Sequence, residues 1–158
     1  TTMKFTTFED GFRYELANRD FSRIGMTKLR SRTRERPDAD FWGSYARLEE
    51  FNRPIYRAAC RRMGIIYSTS PATRLRGLAL GSAPLVVLPE VLRIAYPRTV
   101  EYLEDIRRLR QAGPEREGEF LRYMDEQEEI QVSMMHDALR RDYDACRRRV
   151  DDFIANWS

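Results

Sequence analysis

Apolar residues recur at steps of three and four along most of the chain, a spacing that predicts amphipathic α-helices. The clearest stripe lies at the C-terminal end and covers about ten helical turns. Its members are Leu121, Met124, Glu128, Val132, Met135, Leu139, Tyr143, Cys146, Val150, Phe153 and Trp157. Because neither glycine nor proline interrupts the stripe, it predicts one long C-terminal amphipathic helix.

The predicted length of this helix conflicts with a compact shape. A helix from Pro114 to Trp157 would be about 65 Å long, since each residue adds 1.5 Å. A compact domain of 158 residues has a radius of gyration of about 15 Å. Either the helix breaks, or its overhanging part packs against another molecule, such as a second copy in a homodimer.

The N-terminal part predicts several shorter helices. Thr7, with Asp10 three residues later, is an N-cap signal for a helix that carries Phe8, Phe12 and Leu16. A second short helix is expected around Ile24 and Leu29.

A longer helix is expected between Asp38 and Gly64. Pro54 lies inside it, removes one backbone hydrogen bond and predicts a kink or break near Phe51. Gly64 is the expected stop signal.

The middle of the chain is its most apolar part. Ser70 and Pro71 form a helix-start signal, and prolines and glycines then divide the apolar stretch Leu75–Leu92. We interpret this stretch as short buried helices, although Leu85–Leu88 could form a strand by propensity. A further helix is expected to begin at Pro97 and to end at Gly113.

These elements predict an all-α fold: a single-domain, irregular helical bundle of residues 3–158 that closes around Leu75–Leu92. The native start is expected at Met3, so Thr1 and Thr2 are left out of the domain. A composition of 42% apolar and 34% charged residues is typical of a globular chain.

Cysteine usage and hydropathy indicate a cytoplasmic protein. Cys60 and Cys146 fall at apolar helical positions, where cysteines are usually reduced core residues. The longest uncharged run has thirteen residues, Gly77–Pro89, whereas a membrane-spanning helix needs about 20. The cations are 26 arginines and two lysines, a bias typical of a GC-rich bacterial genome.

Catalytic and metal-binding motifs are missing from the sequence. His136 is the only histidine, no cysteine pair has metal-ligand spacing, and no phosphate-binding glycine loop is present. We therefore expect no cofactor, no metal and no enzymatic activity. The alternative is a helical-bundle enzyme or ligand-binding protein that uses buried carboxylates, drawn from Glu49, Glu50, Glu101, Glu104 and Glu128.

Glu128 is the one acidic residue in the C-terminal stripe. It either reaches solvent, pairs with an arginine from another helix, or is a buried carboxylate whose raised pKa serves a function.

A basic segment suggests nucleic-acid binding as one alternative function. The segment from Arg23 to Arg36 contains six cationic residues and one acidic residue, Glu35. The candidate phosphate contacts are Arg30, Arg32, Arg34 and Arg36.

An acidic segment carries the function that we expect, which is binding to another protein. The segment from Pro114 to Asp137 contains eight acidic residues and two arginines. Small helical proteins that lack catalytic motifs are often immunity proteins or antitoxins, and this segment would then meet the basic cleft of a toxin or effector. The candidate contacts are Glu115, Glu117, Glu119, Asp125, Glu126, Glu129 and Asp137.

Overall fold

The computed structural model describes residues 3–158 and confirms the all-α fold, with six α-helices and no strand in that range. Thr1 and Thr2, which the sequence analysis left out of the domain, lie outside the described residues. Two 3₁₀ turns, Leu85–Val87 and Glu115–Glu117, lead into the fourth and fifth helices. The helices are α1 (Phe8–Arg32), α2 (Ala39–Met63), α3 (Pro71–Gly81), α4 (Leu88–Ala112), α5 (Gly118–Leu139) and α6 (Tyr143–Trp157).

Several helices begin or end at the residues that the sequence predicted. The Thr7 hydroxyl accepts a hydrogen bond from the Asp10 N–H, and the Ser70 hydroxyl accepts one from the Thr73 N–H. Gly64 ends α2 with a φ of 67°, a left-handed conformation that glycine adopts without strain. The carbonyls near the end of α2 then accept hydrogen bonds from Gly64 and Ile65.

Three sites at which the sequence predicted a helix boundary, kink or break lie inside continuous helices. The two short N-terminal helices are one continuous helix, α1. Pro54 lies inside α2, and Pro97 lies inside α4, which already begins at Leu88. Proline removes one backbone hydrogen bond, but its φ is close to the helical value, and packing on both sides of the residue retains the helix.

The C-terminal stripe is divided between two helices, so the prediction of one continuous helix was wrong. Arg141 has a φ of 60° between α5 and α6. The Arg141 N–H donates to the Ala138 carbonyl, and the Asp142 N–H donates to the Asp137 carbonyl. This is a Schellman ending, the pattern that also ends α2 at Gly64. The Asp142 side chain then caps α6, which folds back onto α5.

Five helices surround an aromatic core. Phe12, Tyr56, Phe120, Tyr123 and Phe153 come from four of these helices, and their rings lie within 6.2 Å of a neighbouring ring. Such offset and edge-on ring pairs add to the free energy gained from burial. The core therefore lies between α1, α2, α5 and α6, with α4 packed on α5.

Only part of the Leu75–Leu92 stretch belongs to the core, which Leu88 and Leu92 join, so the bundle does not close around the whole stretch as predicted. Leu75 is 70% exposed and Val86 is 83% exposed. Helix α3 packs on α1 through its small residues instead: a Cβ on Gly77 would lie 2.9 Å from the Ile24 Cβ. The helix can approach so closely only because glycine has no side chain, and Leu80 then packs on Gly25 of α1 while Leu75 and Leu78 stay exposed.

None of the helices described between residues 3 and 158 is by itself long and apolar enough to cross a membrane. Pro71–Gly81 and Leu85–Ala112 reach the required hydropathy only as a pair, and the pair is bent by 88°.

Candidate functional site

The centre of the bundle holds a charged cluster built around Arg19. The Arg19 guanidinium contacts Glu15 at 2.6 Å, Glu49 at 2.5 Å and Glu128 at 3.2 Å. Arg19 is 7% exposed, and the three carboxylates are at most 1% exposed. Helices α1, α2 and α5 therefore share one buried ion network.

A layer of amides and phenols surrounds this network. The Gln127 Oε1 accepts hydrogen bonds from Arg19, Asn52 and Gln131 at 2.7–3.2 Å. The Gln131 Nε2 also donates to Glu49 at 3.1 Å. Tyr102 on α4 donates to the second oxygen of Glu15 at 3.1 Å, which connects a fourth helix to the cluster. Buried charges persist only where their hydrogen bonds are made in this way.

The cluster has more carboxyl groups than its single arginine can neutralise. Burial raises the pKa of Glu15 to about 8 and that of Glu49 to about 7, although the Arg19 guanidinium opposes both shifts. Burial also raises the pKa of Glu128, against the opposing charge of Arg19. At neutral pH the network therefore holds one or more protons between helices.

A cleft of about 550 Å³ opens beside this cluster. It lies between α1, α2 and the irregular segment 64–70 that leads into α3. Its floor is buried and includes Arg19, Glu49, Asn52 and Tyr56. A cleft of this volume is in the range of small-molecule sites.

The mouth of the cleft is strongly basic. Five guanidinium groups line it, against one rim carboxylate, Asp20. Arg23 lies 3.5 Å from Asp20, whereas the others have no carboxylate within 4.0 Å among residues 3–158. These other arginines are Arg53, Arg57, Arg61 and Arg74.

The arginines of the mouth repel one another. Arg53, Arg57 and Arg61 follow at steps of four on α2, where like charges destabilise a helix. The charge of Arg23 is the main cause of a lowered pKa of Arg53, and partial burial and the charge of Arg57 act in the same direction. An anion in the cleft would relieve this repulsion.

Some buried polar atoms in the cleft wall have no hydrogen-bond partner among the described residues. They are the Glu49 Oε2 and the Arg23 Nε. Leaving a buried polar atom unpaired costs about 1–3 kcal/mol, so such atoms are typical of sites that complete their hydrogen bonds with a ligand or water.

The predicted acidic contacts are partly used inside the protein. Asp125 is buried against Arg110 at 2.9 Å, and Glu117 is buried against Arg62 at 2.8 Å. Asp137 is buried against Arg149. The remaining four are accessible to solvent: Glu115, Glu119, Glu126 and Glu129.

The predicted basic contacts also have structural partners. Arg30 pairs with Glu50 at 2.7 Å, and Arg36 pairs with Asp38 at 2.9 Å. Arg32 donates to the Gly81 and Ala83 carbonyls and so caps the end of α3. Arg34 is exposed, with no ion pair found within residues 3–158.

The structure brings together two of the five carboxylates considered for a buried site. Glu49 and Glu128 meet at Arg19, while Glu50, Glu101 and Glu104 lie on the surface. Within residues 3–158, no group of three or more acidic, histidine or cysteine side chains is arranged to hold a metal ion. His136 is exposed beside the Tyr96 ring.

The residues that build the cleft were not among those predicted from the sequence. Glu15, Arg19 and Arg23 are spaced by four on α1, as are Arg53, Arg57 and Arg61 on α2. The second set was partly detectable, because three arginines at steps of four place like charges on one helix face, and Glu49 is the only acid in that row. The first set was not, since an acid followed by a base four residues later normally indicates a surface pair.

Comparisons with protein-family models, curated proteins and solved structures find no match to this chain.

Proposed function

We propose that the protein is a non-enzymatic binder of a small anionic ligand, and that the ligand carries a phosphate group into the mouth of the cleft. The observation that carries this proposal is the set of uncompensated guanidinium groups around one concave space. Arginine is the side chain best suited to phosphate, because its planar group donates two parallel hydrogen bonds. A folded surface without such a ligand would be more stable with fewer of these charges.

Titration calorimetry with inorganic pyrophosphate tests this proposal. The variant R53Q/R57Q/R61Q removes three guanidinium groups from the cleft, and we expect it to weaken binding at least about tenfold, since a hydrogen bond to a charged group contributes about 1.5–3 kcal/mol. The control variant R98Q/R116Q/R140Q removes the same charge from exposed positions outside the cleft and should bind normally. Equal weakening by both variants, or no binding by the native protein, would contradict the proposal.

The same titration with a single-stranded oligonucleotide separates a small ligand from a nucleic acid. A cleft for a small phosphate compound should bind pyrophosphate at least as tightly as the oligonucleotide. Much tighter binding of the oligonucleotide, with a steep dependence on salt concentration, would replace the small ligand with a nucleic acid.

Binding to another protein is a second candidate function, as an immunity or antitoxin-like protein of bacterial origin in a cytoplasmic setting. The supporting observation is that Glu115, Glu119, Glu126 and Glu129 stay accessible after their acidic neighbours have paired internally. Partners retained by the native protein from an extract of its host should be lost with E115Q/E119Q/E129Q and at high salt. Retention of the same partners by the variant would remove this surface from consideration.

A further inference from the structure

We infer that the ligand of this cleft is a zwitterion, with its phosphate at the arginine mouth and a protonated amine against the free oxygen of Glu49 at the floor. This inference rests on the proposed function and specifies the chemistry of the ligand. It follows from the opposite charges of the two ends of the cleft. The mouth has excess arginine, while the floor opens onto a cluster with three carboxyl groups and one arginine.

Glu49 is the residue that links the cleft to the buried cluster. One of its oxygens accepts hydrogen bonds from Arg19 and Gln131, whereas Oε2 has no partner, although the side chain is only 1% exposed. Glu49 also lines the cleft. A buried carboxylate oxygen accepts strongly, and an ammonium group is the donor that would satisfy both its hydrogen bond and its charge.

Arg19 is the only cation among the groups that shift the pKa of Glu49. Arg19 and Ser22 on α1, Asn52 and Tyr45 on α2, and Gln131 and Glu128 on α5 surround Glu49. The Arg19 guanidinium is shared with two further carboxylates, and Ser22 and Asn52, which lower the pKa of Glu49 by hydrogen bonding, carry no charge. The floor therefore has a carboxyl oxygen, the Glu49 Oε2, that has no cationic partner of its own.

Calorimetry with a series of ω-aminoalkyl phosphates of increasing chain length tests the inference, each compared with the alkyl phosphate that lacks the amine. We expect at least one amine-bearing compound to bind about tenfold more tightly than its partner, the effect of one charge-assisted hydrogen bond. In E49Q this preference should disappear, so that the amine-bearing and the plain compounds bind the variant equally.

Glu15→Gln is the matched control. Glu15 belongs to the same buried cluster and contacts the same arginine, but it does not line the cleft. E15Q should therefore keep the preference for the amine. Loss of the preference in both variants would mean that the cluster acts only through the folded structure, which would overturn the role of Glu49.

Proton release gives an independent measurement. Burial holds the pKa of Glu49 at about 7, so part of the protein carries a proton there at neutral pH. An ammonium group would favour the ionised form, and calorimetry in buffers of different ionisation enthalpy should show protons released on binding of the aminoalkyl phosphate but not of the alkyl phosphate.

The outcomes separate the two proposals. Equal binding of amine and plain phosphates overturns the zwitterion and leaves the anion-binding cleft in place. Absence of binding by any phosphate compound, pyrophosphate included, overturns both.

Discussion

At the scale of single residues, the arginines of the cleft mouth are held where they lower the stability of the free protein. Arg57 lies one helical turn from both Arg53 and Arg61, and none of the three has a carboxylate within 4.0 Å among residues 3–158. Most other arginines of the described chain have such a partner; Arg147, for example, contacts Asp144 and Asp151 on α6. We propose that an anionic ligand supplies the counter-charge that the protein does not provide at the mouth.

Arg57→Gln should therefore stabilise the protein in the absence of ligand. Removing two like-charge contacts at i,i+4 spacing is worth about 0.5 kcal/mol in the free energy of unfolding at low salt. Chemical denaturation measures it, and the gain should shrink as salt is added. Arg147→Gln is the control: it removes an arginine that has carboxylate partners, and it should lower stability. A loss of stability in Arg57→Gln would show that the mouth arginines have partners that the distances do not indicate.

At the scale of elements, α3 is the part of the fold that the glycines position. Gly77 brings α3 against Ile24 and the Phe21 carbonyl of α1. Because α3 carries Arg74 into the wall of the cleft, this close approach also determines the width of the mouth. The leucines of α3 contribute less, since Leu75 and Leu78 are exposed.

Gly77→Ala should destabilise the protein and weaken pyrophosphate binding. The added Cβ would lie 2.9 Å from the Ile24 Cβ, which cannot move without the backbone. We expect a loss of about 1–2 kcal/mol, the usual range for overpacking, even though alanine favours the helix. Gly43→Ala on α2 meets no atom within 4 Å and should stabilise the protein by about 0.5–1 kcal/mol. Thermal unfolding of the two variants checks both signs, and a stabilised Gly77→Ala would refute the tight α1–α3 contact.

At the scale of the whole molecule, the Arg19 cluster connects helices that are distant in sequence. Glu15 and Arg19 come from α1, Glu49 from α2 and Glu128 from α5, with Tyr102 of α4 bonded to Glu15. Since the carboxyl groups outnumber the arginine, the network is most stable when part of it is protonated. Its protonation therefore affects the stability of the entire bundle.

The free energy of unfolding should fall as the pH rises from about 5 to about 8. In the folded protein the pKa of Glu15 is raised by burial to about 8, against 4.5 for an unperturbed glutamate. A group with a raised pKa contributes its full stabilisation below pH 4.5 and loses it as the pH passes through 8. The loss is on the order of a few kcal/mol. Glu15→Gln, which resembles the protonated acid, should flatten the curve and exceed the native protein in stability at high pH. An unchanged pH profile in E15Q would show that Glu15 is ionised throughout.

The sequence determined the features that depend on local chemistry. Hydrophobic periodicity predicted an all-α chain, and short-range signals predicted the ends of helices at Thr7, Gly64, Ser70 and Gly113. These signals act within one or two helical turns, so they can be read without knowledge of the fold.

Only the tertiary structure decided the break at Arg141, the exposure of α3 and the cleft. Arg141 occupies a left-handed position that glycine usually takes, so the sequence around it contains no signal for the end of a helix. The hydrogen bonds of the turn and the return of α6 onto α5 hold Arg141 in this conformation. Glu15, Arg19 and Glu49 each resemble ordinary surface residues of a helix, and only Glu128 stands out, as the one acid in an apolar stripe. They become one buried network because three helices turn these positions toward the same point, and no local pattern records where distant helices meet.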